Sequence, residues 1–251
     1  MTKNLLAEYL RELHLPTVRQ CYQNSAIQAQ NESLSYEQFL FEIIEKEVID
    51  RRNNKVERLL KQSKLPLEKN LGSFDLKRLP QPIIQQLNVL LDGSFLDRRE
   101  NLLVFGNSGS GKTHAVSALA QELVRKGRSV YFSSASLLVQ ELLIAKQNLK
   151  LARLLKTFSR YDAIIIDDLG YVQYEADEME VLVTLFAERY ERGSLMITSN
   201  LPFSKWNRIF KNDAITIALT DRLIHHSIVI EMNLPSYRIE HAKKEKEVKA
   251  G

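Results

Sequence analysis

Between the apolar run Asn101-Leu102-Leu103-Val104-Phe105 and a stretch of helical spacing from Thr113 to Lys126 lies Gly106-Asn107-Ser108-Gly109-Ser110-Gly111-Lys112-Thr113. No other feature constrains the fold so tightly. Gly106 and Gly111 permit backbone conformations that a side chain would obstruct. The backbone N–H groups of such a loop converge on phosphate oxygens at a helix N-terminus. The required context is a strand before the loop and a helix after it, and both are present. Lys112 is then placed to reach the β- and γ-phosphates of a nucleotide, and the Thr113 hydroxyl to ligate Mg²⁺. The candidate nucleotide-binding residues are Gly106, Asn107, Ser108, Gly109, Ser110, Gly111, Lys112, Thr113 and His114.

The loop commits the chain around it to alternating strands and helices. Further strands are expected at 129–132, 163–166 and 194–198, with helices at 137–158 and 178–192 between them. Ile228-Val229-Ile230 is a candidate last strand. Short, wholly apolar strands alternating with helices imply a parallel sheet covered on both faces. Upstream, residues 1–64 show helical spacing only, in Leu5, Leu6, Tyr9, Leu10 and Leu13, and in a stripe of Phe39, Leu40, Ile43, Ile44, Val48 and Ile49. They read as a small helical domain. Residues 65–82, with Pro66, Gly72, Pro80 and Pro82, read as a linker. Residues 83–242 form the α/β domain, and 243–251 a charged tail.

Two further segments belong to the same chemistry. Ile164-Ile165-Ile166 ends in Asp167-Asp168. Ligands of parallel sheets lie at the C-terminal ends of strands, so Asp167 is placed to hold Mg²⁺ and Asp168 to orient or activate the attacking water. Alternatively, Asp168 caps the turn at Gly170. The strand at 194–198 is followed by Asn200, whose amide can bond the γ-phosphate or the water, or can serve only as a turn-former before Pro202. One cysteine excludes an internal disulfide, and five histidines, scattered apart from His225-His226, offer no zinc set. No run approaches the roughly 20 apolar residues of a membrane span, so a soluble, cytoplasmic protein is expected.

Taken together, the Gly106–Thr113 loop, Ile164 to Asp168, and Thr198-Ser199-Asn200 resemble Walker A, Walker B and sensor 1 of the AAA+ ATPases. Within that class the chain is similar to the DnaA/DnaC branch, and most of all to the IstB-like helper ATPases of insertion sequences. The basic helix before the core and the Asp167-Asp168-Leu169-Gly170-Tyr171 form of Walker B carry that likeness. It implies that residues 83–242 are an AAA+ ATPase domain. Most AAA+ proteins have Glu at the second Walker B position; Asp168 is one methylene shorter, which implies slow turnover. Asp221-Arg222-Leu223 matches the arginine-finger box, so the resemblance implies that Arg222 completes a neighbour's site in trans. Ser236-Tyr237-Arg238 is similar to sensor 2, which implies that Arg238 touches the nucleotide in cis.

Two stretches are basic and acid-poor. One contains Arg51, Arg52, Lys55 and Arg58; the other runs along the helix expected at 137–158 through Lys146, Lys150, Arg153 and Lys156. Helical spacing puts much of each set on one face. The net charge of +4 permits a polyanion without demanding one. No aromatic residues interleave with the cations, which favours contact with a duplex backbone over stacking on single strands. The resemblance therefore implies an ATPase that assembles as a homo-oligomer on double-stranded DNA, hydrolyses ATP with Mg²⁺ and serves a transposase. A replicative helicase loader of the DnaC/DnaI type is the alternative, and a small-molecule kinase a more distant one.

Overall fold

The computed structural model describes residues 2–206, 209, 223–237, 239 and 240. The chain divides into two compact units, Met1–Arg58 and Leu59–Gly251.

In the first unit, α1 (Thr2–Glu12), α2 (Pro16–Asn31) and the first part of α3 (Tyr36–Ser63) share a small core of Leu10, Val18 and Ile43. A buried acid organises their junction. Glu47 of α3 accepts the Thr17 amide at 2.8 Å and the Val18 amide at 3.1 Å, capping the start of α2, and accepts Nε of Arg51 at 2.8 Å. Burial pushes the Glu47 carboxyl up, but the guanidinium and the two amides outweigh it and hold it below the usual range. Of the stripe expected as bundle core, Ile43 is buried, while Leu40, Ile44, Val48 and Ile49 are exposed. The periodicity marks an apolar face, and three short helices do not supply enough surface to cover it.

The second unit holds a five-stranded, all-parallel sheet in the order β2-β3-β4-β1-β5, formed by β1 (Asn101–Phe105), β2 (Val130–Ser134), β3 (Ala163–Leu169), β4 (Ser194–Ser199) and β5 (Ser227–Glu231). Both faces are covered, which is why the strands read as continuous apolar runs. Leu102, Val104, Ile165 and Met196 point to one core with Leu119 and Leu123 of α6 (Lys112–Arg125). On that side also lie Leu87 and Leu90 of α4 (Gln81–Leu90) and Phe95 of α5 (Ser94–Asp97). Leu103, Ile164, Ile166 and Ile197 point to the other core. There they meet α7 (Ala135–Gln147), α8 (Leu151–Phe158) and α9 (Ala176–Arg189).

Two segments differ from expectation. The single helix expected at 137–158 is broken into α7 and α8. Leu149 is left-handed (φ 56°), and the amides of Leu149 and Lys150 bond back to Lys146 and Ala145, a C-terminal cap closed without glycine. An unbroken helix of that length would reach about 33 Å, roughly twice a five-residue strand; the break lets α8 return to pack on α7. The second is residues 65–82, read as a linker, which are a packed strap. Leu65 and Leu79 are buried in the second unit's core, and Nε2 of Gln121 in α6 donates to the carbonyls of Pro66 (3.1 Å) and Lys69 (3.0 Å).

A buried arginine ties the far end of the sheet. The Arg189 guanidinium donates to the carbonyls of Phe158, Tyr161, Asp162 and Ser194 at 2.8–3.1 Å. Burial pulls its pKa down to about 10. No helix among the described residues is long and apolar enough to cross a membrane.

Candidate nucleotide site

β1 lies between β4 and β5, and its C-terminal end delivers the Gly106–Gly111 loop to the start of α6. The loop is held from the C-terminal side of the chain. Gly106 has φ 153°, and a Cβ there would collide with the Met232 carbonyl. Gly109 has φ 77°, its Cβ position is filled by the Ser236 hydroxyl, and its carbonyl accepts the Tyr237 amide at 2.9 Å. Lys112 is 5% exposed, and its Nζ donates to the carbonyls of Gly106 and Asn107, both at 2.9 Å. The ammonium is thereby kept at the loop.

Asp167 and Asp168 lie in a bulge near the C-terminal end of β3. The register against β4 shifts between Ile166 and Leu169, and Asp168 is left-handed (φ 58°), a conformation that Asp tolerates better than most residues. The bulge interrupts the strict alternation of faces, so consecutive carboxylates both border one cavity. Asp167 is buried. Thr198 Oγ1 donates to its Oδ1 at 2.6 Å and accepts the Asp168 amide at 2.8 Å; the Thr113 hydroxyl also bonds Asp167. Burial pushes the Asp167 carboxyl up, with Asp168 adding to it, while Thr198, Thr113 and the charge of Lys69 act against the rise. A buried carboxylate beside a threonine hydroxyl at a phosphate loop suits Mg²⁺, which takes one or two protein oxygens and completes its shell with phosphates and water. No group of three His, Cys, Asp or Glu side chains able to hold a metal alone occurs among the described residues.

The side chain of Asp168 is exposed at the cavity and makes no hydrogen bond among the described residues; the turn after it is closed by its carbonyl, which accepts the Tyr171 amide. Asn200 is likewise exposed at the cavity. Its neighbour performs the turn work: Ser199 Oγ donates to the Leu169 carbonyl at 2.6 Å and accepts the Leu201 amide at 3.1 Å. His114 borders the cavity but binds the strap, with Nε2 3.0 Å from the Asn70 carbonyl and 3.2 Å from Ser73 Oγ. Arg222 and Arg238 lie outside the described residues.

The cavity, of about 730 Å³, is bordered by Ser108 to His114, Asp167, Asp168 and Asn200. Sequence reading missed its other walls. Lys69, Phe74 and Arg78 come from the strap, Tyr237 from the C-terminal segment, and Tyr174 from the loop after β3. The Phe74 ring lies 4.8 Å from that of His114, and Arg78 sits under the Tyr237 ring at 5.1 Å while donating to the Pro235 carbonyl and to Glu240. An isolated Phe in a Pro- and Gly-containing stretch gave no signal. Thr198 entered only as the first residue of the Thr198-Ser199-Asn200 motif, with no role of its own, although a hydroxyl at the end of an apolar strand beside a carboxylate was available to be noticed.

The basic residues separate into bound and open groups. Arg51 is engaged with Glu47 and donates to the His14 carbonyl. Arg52, Lys55 and Arg58 are exposed on α3. Lys146, expected on one face with Lys150, Arg153 and Lys156, lies on α7, while Arg153 and Lys156 lie on α8 and Lys150 just before it; Lys146 pairs with Glu180 of α9 at 2.8 Å, with Asp177 at 3.8 Å. Those acids are distant in sequence, so the stretch looked acid-poor. Lys150, Arg153 and Lys156 are exposed.

A central strand feeding a phosphate loop, carboxylates on the strand two places away and a polar residue on the strand between them define a P-loop nucleotide-binding domain of the AAA+ class. The chain belongs to the family of IstB-like ATP binding proteins, whose model matches residues 8–245. It is 34% identical over 245 residues to an insertion sequence IS5376 putative ATP-binding protein of Geobacillus stearothermophilus, covering 98% of both chains. It is 39% identical over 230 residues to a putative insertion sequence ATP-binding protein of Sinorhizobium fredii, covering 91% of this chain and 77% of that one. Solved structures of the same fold include AMPPCP-bound DnaA from Aquifex aeolicus (TM-score 0.58, 18% identity, 74% of this chain and 56% of that one). Another is the DnaC helicase loader (TM-score 0.57, 19% identity, 66% of this chain and 97% of that one).

Proposed function

We propose that this protein is an ATP-dependent transposition helper that oligomerises on target duplex DNA, recruits or regulates a transposase and hydrolyses ATP slowly. The observation that carries the reading is the Asp167–Thr198–Asp168 arrangement opposite the Lys112 loop, in a chain whose relatives are insertion-sequence ATP-binding proteins. The amides of 106–111 and the Lys112 ammonium would hold the phosphates. Thr113 and Asp167 would hold Mg²⁺, which would supply charge neutralisation on the nucleotide's phosphates. Asp168, unbonded at the cavity, takes a proton from the attacking water, and the Asn200 amide orients that water or the γ-phosphate. Arg222 acts across a subunit interface and Arg238 on the bound nucleotide. The exposed stripe of Leu40, Ile44, Val48 and Ile49 supports subunit packing by the helical unit, and the open cations of α3 and α8 support backbone contact with DNA.

The test is the size of the protein with and without duplex DNA in ATP, ADP and a non-hydrolysable analogue. ATP-dependent growth on duplex is expected. Assembly indifferent to both nucleotide and duplex, or pull-down of a replicative helicase with weak duplex affinity, would replace this reading with another.

A further inference from the structure

Residues 1–58 carry eight Lys and Arg against nine Asp and Glu, so the helical unit is not basic by composition. Its fold nevertheless gathers Arg11, Arg19 and Arg51, with His14, around one cleft of about 370 Å³ floored by Leu10 and Leu15. The three arginines come from three helices, α1, α2 and α3. No carboxylate borders the cleft. The acids of α3 closest in sequence to Arg51 are turned to the start of α2: Glu47 caps the amides of Thr17 and Val18, and Asp50 accepts the Thr17 hydroxyl at 2.9 Å. Arg51 is fixed by Glu47 and by the carbonyl of His14, itself left-handed (φ 54°) at the corner between α1 and α2. The side chains of Arg11 and Arg19 make no hydrogen bond or ion pair among the described residues.

Glu47 offsets the charge of Arg51, but Arg11 and Arg19 bring two further like charges to the same cleft with no acid on its border, and an anion placed among them lowers that repulsion. Guanidinium forks match phosphate oxygens in geometry as well as charge. The cleft also stands at one end of a row. Arg52, Lys55 and Arg58 continue along α3, exposed and unpaired among the described residues, over about 10 Å of helix. A row of cations fits a polymer of phosphates better than a single one.

We propose that Arg11, Arg19 and Arg51 form a phosphate-binding cleft of the helical unit, and that its ligand is the phosphodiester backbone of duplex DNA. The proposal rests on the DNA-binding reading given above and assigns the contact to residues far apart in sequence. A contact confined to the phosphates contributes affinity and salt dependence without sequence preference.

The test uses the full chain with ATP and a random-sequence duplex, titrated over a range of salt, comparing the parent with Arg11→Ala/Arg19→Ala and with Arg11→Lys/Arg19→Lys. The alanine pair is expected to bind on the order of tenfold to a hundredfold more weakly at 0.1 M salt, with a log–log salt slope shallower by about two. The lysine pair should keep most of the slope. ATP turnover without DNA should be equal in all three, and the thermal transition shows whether the alanine pair is folded. If the parent binds duplex and the alanine pair binds it with equal affinity and slope, the cleft is not a DNA site and the proposal falls. Loss of transposase capture with unchanged DNA affinity would also overturn it, in favour of a protein ligand. If the parent itself binds no duplex, the DNA-binding reading fails first, and that outcome is distinct from the other two.

Discussion

Thr198 links the two carboxylates of the nucleotide site through one hydroxyl, donating to Asp167 and accepting the amide of Asp168. Thr198→Val removes both bonds inside a fully buried site, where an unmet polar group costs about 1–3 kcal/mol. The denaturant midpoint should fall accordingly, and Thr198→Ser should restore most of it. Asp167 carries the opposite burden. Its folded-state pKa is raised, so its contribution to stability is complete below the usual carboxylate range and is lost as pH climbs through the raised value. Asp167→Asn should therefore melt higher than the parent without nucleotide at neutral pH, the gap narrowing as pH falls. The same variant should lose the extra stabilisation that Mg²⁺ with ATP gives the parent. Asp168→Asn should keep nucleotide-dependent stabilisation and lower turnover by roughly 10²-fold or more. Normal turnover in that variant would remove the Asp168 side chain from the hydrolysis step.

Among the elements, the break between α7 and α8 places a left-handed, 95% exposed Leu149 where glycine is the usual choice. Leu149→Gly should stabilise the unit by about 1 kcal/mol, since almost no buried surface is lost and the left-handed strain is relieved. Leu149→Ala, equally strained, should not. Sequence periodicity ran straight through this break because both sides of it are amphipathic, and spacing alone carries no information about where a chain reverses to stay on the sheet. The Pro-rich strap misled in the other direction. Its prolines and Gly72 do mark irregular backbone, but irregular backbone can be packed as firmly as a helix when a partner such as Gln121 takes its carbonyls. Gln121→Leu should release those carbonyls, lower stability by about 1–3 kcal/mol and weaken nucleotide affinity, measured as a smaller ATP-induced rise in melting temperature.

Across the whole molecule, the nucleotide cavity is built from six separated stretches: the strap, the phosphate loop, residues 134–136 where β2 meets α7, the end of β3 with the loop after it, Asn200 after β4, and residues 234–237. The short motifs were legible in sequence because each is a local device. A glycine-rich turn between strand and helix, and a pair of carboxylates ending an apolar strand, do their work through backbone geometry fixed within a few residues. The parallel sheet and its two covered faces follow from wholly apolar strands alternating with helices, whereas the order β2-β3-β4-β1-β5, which sets the loop's strand between β4 and β5, was decided by the tertiary structure. Other features depended on contacts between residues far apart in the chain. Tertiary packing put Phe74 and Lys69 over the loop, neutralised Lys146 with acids of α9, gave Thr198 its place between the carboxylates, and drew Arg11 and Arg19 to Arg51. Long-range contacts of that kind leave no periodicity and no motif, because each depends on where the intervening chain returns rather than on its local preference.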